Sequence, residues 1–267
     1  MKRYVPPYNE EYSQNYDERW PENKFWKEEV NFTSSLINQL LNNCSRWLDA
    51  GCGTGYYLKQ FSHIYRTGFD LSETMLDIAK KNNSHTVLFK LHDISKEMND
   101  WKNKWDLVTC TGQPWAYLEN MRLIERVVKN LYDWTSDSGS CLLIPDDIQS
   151  AYGLSIRYNF FESDYSCQDN VLNALIWTYI DDEFNHKYLV YPLLDQWIRW
   201  FSKYFEEIHI EYKKFKTHVE PRTYIICKRK KKLPNNDRAN IFIGNENLND
   251  LGEKLGWNNL MNSTLFI

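Results

Sequence analysis

The chain has 267 residues, room for one domain of roughly 200–230 residues with an extension rather than for two full domains. It is 42% hydrophobic and rich in rings, with 18 Tyr, 13 Phe and 11 Trp, so it can bury a core without disulfide staples. A net charge of −4 excludes the basic footprint of a nucleic-acid binder, and no run approaches the roughly 18–20 apolar residues of a membrane helix.

Tyr4, Tyr8, Tyr12, Tyr16 and Trp20 recur every four residues. Pro6 and Pro7 keep Tyr4 off any regular helix, while Tyr8 to Trp20 share one helical face. Residues 22–43 predict the next helix: Phe25, Trp26, Val30, Thr33, Ile37, Leu40 and Leu41 fall at helical spacing, and Pro21 suits its first turn. Strands and helices then alternate. Strands are expected over 46–50, 65–70, 86–92, 105–111 and 139–145. Helices are expected over 56–62, over 72–81 with Ser72 as N-cap, and over 119–134. This rhythm predicts an α/β, doubly wound and mainly parallel sheet.

After Asp147 the rhythm changes. Segments 171–180 and 184–192, joined at Asp181-Asp182-Glu183, predict a hairpin, and 194–205 a helix with Trp197, Trp200 and Phe201 on its apolar side. Segments 208–214 and 223–227 predict an antiparallel pair at a sheet edge. The basic run 228–232 is expected as the solvated end of that last strand. The Asn-rich tail has few apolar positions before Trp257, Leu260 and Leu265-Phe266-Ile267. It packs on the domain or on a second subunit, so a homodimer is one arrangement the sequence allows. The six cysteines form no C-x-x-C pair, and Met1 to Pro7 lack the apolar core of a secretion signal; both predict a reduced, cytoplasmic chain.

The chemistry centres on Asp49-Ala50-Gly51-Cys52-Gly53-Thr54-Gly55, which follows a strand and opens a helix. Glycines there admit positive φ and close approach of a ligand, in the crevice where open α/β sheets bind. The spacing is G-x-G-x-G, with Tyr56 where a dinucleotide fingerprint wants its third glycine. Asp49 stands two residues ahead of the first glycine, within reach of an ammonium. Asp70 ends the second strand, 19 residues after Gly51, where it can accept from ribose hydroxyls. Asp93 follows the third strand, placed to accept from an adenine amine. Ionised carboxylates only accept, so each partner must be a donor.

Leu48 to Leu58, Gly68-Phe69-Asp70-Leu71-Ser72 with Met75, Asp93-Ile94, and Trp105-Asp106-Leu107-Val108-Thr109 together resemble the successive motifs of class I S-adenosylmethionine-dependent methyltransferases. The resemblance covers about residues 46–146. It implies a Rossmann-like, seven-stranded, mainly parallel sheet with helices on both faces, an N-terminal helical lid (1–43) and a methyltransferase domain (44–232). Within that domain a β-hairpin insert at about 148–193 would lie over the pocket, and 233–267 would be a C-terminal extension. It also implies S-adenosyl-L-methionine as cofactor. Asp49 and Gly51, Cys52, Gly53 and Gly55 would hold its methionine moiety and Asp70 its ribose. Leu71 and Met75 would pack on adenine, Asp93 and Ile94 would border it, and backbone at Cys110 and Thr111 would line the cofactor.

On the acceptor side, Tyr12-Ser13-Gln14-Asn15-Tyr16 resembles the Tyr-x-x-x-Tyr segment of small-molecule N-methyltransferases, including amino-sugar N,N-dimethyltransferases and, more loosely, glycine N-methyltransferase. That resemblance places Tyr12 by the cofactor and Tyr16 by the acceptor. Gln113 is expected to orient a polar substrate, and Trp115, Tyr117 and Asp146 to line its site. An amine acceptor needs only to be neutral, whereas a hydroxyl needs a base, for which His186, His218, Asp146 and Asp147 are the candidates. Trp177, Tyr179, Tyr188 and Tyr191 of the hairpin are expected to roof the pocket. No metal is expected, because Cys110-Thr111-Gly112-Gln113-Pro114-Trp115 contains no carboxylate. The expected function is methyl transfer to N or O of a small polar metabolite: a sugar, amino sugar or nucleotide-linked intermediate of surface-polysaccharide or secondary metabolism. A non-catalytic cofactor-binding subunit and a protein or RNA methyltransferase are the alternatives.

Overall fold

The computed structural model describes residues 9–42, 44–118, 120–145, 158–162, 166–167, 170–171, 174–180, 185–192, 194–218, 221–244 and 246–247; between 158 and 191, and at 246–247, it describes the backbone alone. In chain order the helices are α1 (Glu10–Gln14), α2 (Tyr16–Arg19), α3 (Lys27–Leu41), α4 (Glu73–Asn82), α5 (Met121–Trp134) and α6 (Leu194–Ser202). The central strands are β1 (Arg46–Ala50), β2 (Tyr65–Asp70), β3 (Leu88–Leu91), β4 (Trp105–Cys110) and β5 (Thr135–Leu143). The second half adds β6 (Tyr158–Glu162), β7 (Ser166–Cys167), β8 (Asn170–Val171), β9 (Ala174–Ile180), β10 (Asn185–Pro192), β11 (Phe205–Lys213), β12 (Arg222–Lys230), β13 (Asn240–Ile243) and β14 (Glu246–Asn247).

The main sheet runs β14-β13-β11-β12-β5-β4-β1-β2-β3. β1 to β5 pair in parallel, and β12 enters antiparallel between β5 and β11. The expected doubly wound sheet is present, with two differences at its far side. The strand pair β11–β12 is antiparallel as expected but does not form the edge. β13 pairs in parallel with β11 and β14 follows it, extending seven strands to nine. A four-residue strand carries too short a pattern to be recognised within a polar tail.

Both faces of the sheet are covered, which the alternation along each strand makes visible. Val108 and Cys110 of β4, Cys141 and Leu143 of β5, and Ile225 and Cys227 of β12 pack with α5 and α6. Their neighbours Leu107, Leu142, Ile144, Tyr224 and Ile226 pack on the other side with Leu36, Ile37 and Leu41 of α3 and Leu76 of α4. Strands buried on both faces are expected of a parallel sheet wrapped in crossover helices.

Local chemistry explains most boundaries. Ser72 caps α4, its hydroxyl accepting from Met75 N, and Asn120 does the same for Leu123 N at α5. The aromatic stripe of the N-terminus is not one helix: the chain breaks at Asn15 into two short turns. α3 begins at Lys27 instead of residue 22, because Phe25 and Trp26 turn aside to flank the ring of His218 at centroid distances of 5.3 and 5.1 Å. The helix expected over 56–62 is a single 3₁₀ turn, Leu58–Gln60.

The insert holds the expected antiparallel hairpin, β9 with β10, to which β6 adds a third strand. The basic run is not merely a solvated end. Lys230 Nζ donates to Thr135 O (2.6 Å), and the buried Lys231 Nζ donates to Ser202 O, Asn235 Oδ1 and Asp237 O at 2.6–2.8 Å. None of the described helices is long and apolar enough to cross a membrane.

Candidate functional site

β1 lies between β2 and β4, so the crevice beyond their C-terminal ends opens over the turn that follows Ala50. Gly51, Gly53 and Gly55 all have φ between +52° and +73°. At Gly51 the need is absolute: a Cβ there would stand 2.4 Å from Pro114 Cγ. Gly53 differs. Its Cβ would meet only Met75 Cε, at 3.7 Å, so this position faces the open crevice. Gly51 N and Cys52 N both donate to Phe69 O at 2.9 Å, and Gly53 N donates to Asp70 Oδ2 at 2.9 Å. The turn is therefore sewn to the end of β2.

Asp49 is 3% exposed. Thr109 of β4 donates its hydroxyl to Asp49 Oδ1 at 2.6 Å, and Trp47 Nε1 donates to that hydroxyl at 2.9 Å. Burial pushes the Asp49 carboxyl up to about 7; the Thr109 bond opposes this and the charge of Asp70 adds to it. Asp70 accepts from Gly53 N and from Ser72 N, one bond on each oxygen, which leaves acceptor capacity on both. Asp93 Oδ1 accepts from the backbone N and the hydroxyl of Ser95 and so shapes its own turn. Leu71, beside Asp70, is 48% exposed despite being apolar, and Met75 is buried at the start of α4.

Three of the expected cofactor residues offer backbone only. The Cys52 side chain packs into the core, where a Cβ on Gly68 would meet its sulfur at 2.7 Å. Cys110 and Ile94 likewise point into the core. Burial holds the thiols of Cys52 and Cys110 well above their ordinary range, which makes both unreactive. Thr111 is half-buried at the end of β4.

On the acceptor side, Tyr16 is half-buried, with Tyr12, Tyr117, Asp70 and Asp17 for neighbours. Burial and those neighbours hold its phenol un-ionised. Tyr12 is buried, 6.1 Å from Tyr16 between ring centroids, and its hydroxyl accepts from Trp20 Nε1. Gln113 has φ +57°, an unusual conformation for a residue with a Cβ, just before the 3₁₀ turn Pro114–Tyr117. Trp115 is wholly buried, edge-on to Trp197 at 4.9 Å, and forms the floor under this turn. Tyr117 alone of that segment's rings is half-exposed.

His218 is committed elsewhere: its Nε2 lies 2.7 Å from Glu29 Oε2 and its Nδ1 3.0 Å from Thr217 Oγ1. The structure places His186 by its backbone only, opposite Tyr179 in the hairpin. Its side chain, those of Trp177, Tyr179, Tyr188 and Tyr191, and the whole of Asp146 and Asp147 lie outside the described residues. Two polar residues at this crevice escape motif reading. Asp17 and Thr54 are joined by a hydrogen bond across 37 positions of sequence, a distance over which no spacing rule operates.

The donor set tests the fit of S-adenosylmethionine, whose ammonium, ribose diol and adenine amine are all donors. Three carboxylates at three successive strand ends match them, the Gly53 position leaves the floor open, and exposed Leu71 offers an apolar platform. The fit is good.

Comparison with known proteins agrees with this geometry. Residues 48–139 match the family model described as a methyltransferase domain. The chain is 29% identical over 106 residues to a malonyl-[acyl-carrier protein] O-methyltransferase of Bacillus anthracis, a match that spans 38% of this chain and only 37% of that relative. Among solved structures it is similar to CalS10, an amino pentose methyltransferase from Micromonospora echinaspora (TM-score 0.55, 16% identity, 85% of this chain and 99% of that one). It is also similar to the sugar N-methyltransferase KedS8 from a Streptoalloteichus species (TM-score 0.56, 15% identity, 86% and 97%). DesVI of Streptomyces venezuelae shares the fold as well, at TM-score 0.55 and 16% identity, over 87% of this chain and 100% of that one. Residues 48–139, which hold the glycine turn, Asp49, Asp70 and Asp93, are thus similar to a methyltransferase domain, and the chain shares its fold with S-adenosylmethionine-dependent methyltransferases.

Proposed function

We propose that this protein transfers the sulfonium methyl of S-adenosylmethionine to an amine of a small polar metabolite, an amino sugar being the first candidate. The observation that carries this reading is the crevice itself, with Asp49, Asp70 and Asp93 at three strand ends around an open glycine turn and Tyr16 and Tyr117 beside it. The cofactor would supply a methyl carbon activated by its positive sulfur and open to in-line attack by an amine lone pair, with the C–S electrons going to the departing sulfur and the nitrogen's proton to solvent.

The protein's own task is alignment, an effect that reaches effective molarities of about 10⁵–10⁸ M. Asp49 holds the ammonium, Asp70 the ribose diol and Asp93 the adenine amine, while Leu71 and Met75 support the base. Tyr16 and Tyr117, whose hydroxyls can both donate and accept, orient the acceptor, with Gln113 at the strained turn beside them. The amine is favoured over a hydroxyl because it requires no base, and His218, already bonded on both ring nitrogens, supplies none. The likeness to sugar N-methyltransferases supports the same acceptor class. A cytoplasmic setting, suited to free buried thiols, belongs to this reading.

The test is calorimetric binding of S-adenosylmethionine, followed by mass spectrometry of amino sugars incubated with protein and cofactor. Micromolar binding and a gain of one methyl on nitrogen are expected. Gly53→Asn, whose Cβ would meet only the movable Met75 Cε and which tolerates the left-handed backbone better than other side chains, should fold yet lose binding; retained affinity would place the cofactor elsewhere.

A further inference from the structure

Asp17 is the second residue of α2, immediately after Tyr16. One of its carboxylate oxygens accepts from the hydroxyl of Thr54, at the centre of the glycine turn, and the other from Asn82 Nδ2 at the end of α4 (3.3 Å). Lys59 Nζ stands 4.0 Å away, and Glu22 is the nearby like charge. Thr54 is 1% exposed, so Asp17 supplies a buried hydroxyl with its acceptor. A second fastening lies one turn earlier. Ser13 Oγ pairs with Thr74 Oγ1 at 3.1 Å, which itself pairs with the α4 N-cap Ser72 at 2.9 Å.

These bonds matter because they join the segment to both the glycine turn and α4, beyond the local Trp20–Tyr12 bond and the Lys59–Glu22 pair. α2 has four residues, too few to form a helix unaided, and buries none of them completely. Yet it carries Tyr16 to the neighbourhood of Asp70 and Tyr117. We infer that Asp17 is a positioning residue: by clasping Thr54 and Asn82 it holds Tyr16 over the crevice and closes the N-terminal lid on the bound cofactor. The inference rests on the crevice being the S-adenosylmethionine site. It adds that the glycine turn grips the lid from one side as it receives the cofactor from the other.

The experiment uses the full chain with S-adenosylmethionine as probe, following association and dissociation by stopped-flow fluorescence. A hydrogen bond to a charged group is worth roughly a tenfold change in an equilibrium. Asp17→Ala should therefore speed dissociation about tenfold and leave association nearly unchanged. Asp17→Asn, which still accepts from Thr54, should recover most of the loss. Because both partners make one bond, Asp17→Ala with Thr54→Val should be no weaker than Asp17→Ala alone. Backbone amides of residues 9–20 should gain hydrogen-exchange protection on cofactor addition in the native protein and not in Asp17→Ala.

The melting midpoint of the free protein should fall by only about 2–4 °C in Asp17→Ala, the cost of leaving the one buried Thr54 hydroxyl without its acceptor. Unchanged dissociation in Asp17→Ala, additive effects in the double variant, or a large fall in the free protein's midpoint would each overturn the inference. Native protein that fails to bind S-adenosylmethionine would overturn the methyltransferase reading and this one with it. Native binding with an indifferent Asp17→Ala overturns this one alone.

Discussion

Asp49 carries a conflict that only a ligand resolves. Its carboxyl is buried with one hydroxyl donor, and burial lifts it to about 7 against the ordinary 3.8. A folded-state value above the unfolded one means that the native state binds the proton more tightly. The free protein then loses stability through this group as pH rises from about 4 to about 7. A cationic ligand reverses the preference, because only the ionised form pairs with an ammonium. Cofactor affinity should rise up to tenfold per unit of pH below about 7 and level off above it, each binding event releasing a proton in the lower range. Asp49→Asn should bind about a hundredfold more weakly, without that slope, while the free variant melts higher than native at pH 8. Calorimetry in buffers of different ionisation enthalpy reads the proton directly. Native affinity independent of pH from 5 to 7 would remove Asp49 from the cofactor site.

At the scale of elements, the far edge of the sheet depends on Lys231. Its ammonium satisfies two carbonyls and the side chain of Asn235, its backbone N donates to Tyr204 O, and its own carbonyl accepts from Tyr132 OH. This hub turns the chain from β12 back toward β13. Lys231→Met keeps the stem but strands three acceptors, which should cost about 2–3 kcal/mol and lower the melting midpoint by roughly 5–10 °C. Hydrogen exchange should show residues 240–243 opening first; uniform loosening would argue against a local role. The same region shows where sequence reading stops. Ser72 and the glycine turn were legible because capping and turn geometry are local, decided within four residues. The placement of β12 between β5 and β11 is a tertiary choice, with no trace in the period of either strand. Lys231 looked like one charge in a basic run, since nothing in a sequence distinguishes a solvated lysine from one enclosed by three oxygens. Trp115 likewise looked like a pocket wall, and Trp197, 82 positions away, is what makes it a floor. Asp17 and Thr54 stayed hidden for the same reason: their bond has a partner only in three dimensions.

For the whole molecule, α3 is tied to the β11–β12 half of the sheet through one buried carboxylate. Glu29 of α3 receives Arg222 Nε at 3.0 Å and faces His218 Nε2 at 2.7 Å, so α3, the 215–218 turn and the start of β12 meet on a single side chain. Thr217 extends the tie by donating to Phe25 O, where the chain arrives from α2. Burial raises the Glu29 carboxyl, but Arg222 and His218 outweigh it and hold the group below its ordinary 4.5. A lowered value places the stabilisation above the unfolded value, to be lost as pH falls through the folded one. Removing one partner of a buried pair is more damaging than the pair is helpful, because the remaining charges stay desolvated. Glu29→Ala should therefore cost about 3–5 kcal/mol at pH 7, a fall in melting midpoint on the order of 10 °C. The gap between native and variant should narrow only as pH falls below the ordinary 4.5, where native Glu29 takes up its proton. Scanning calorimetry across that range decides it. A gap that persists unchanged down to the onset of acid unfolding would mean that packing of the Glu29 side chain, not its charge, joins the two halves.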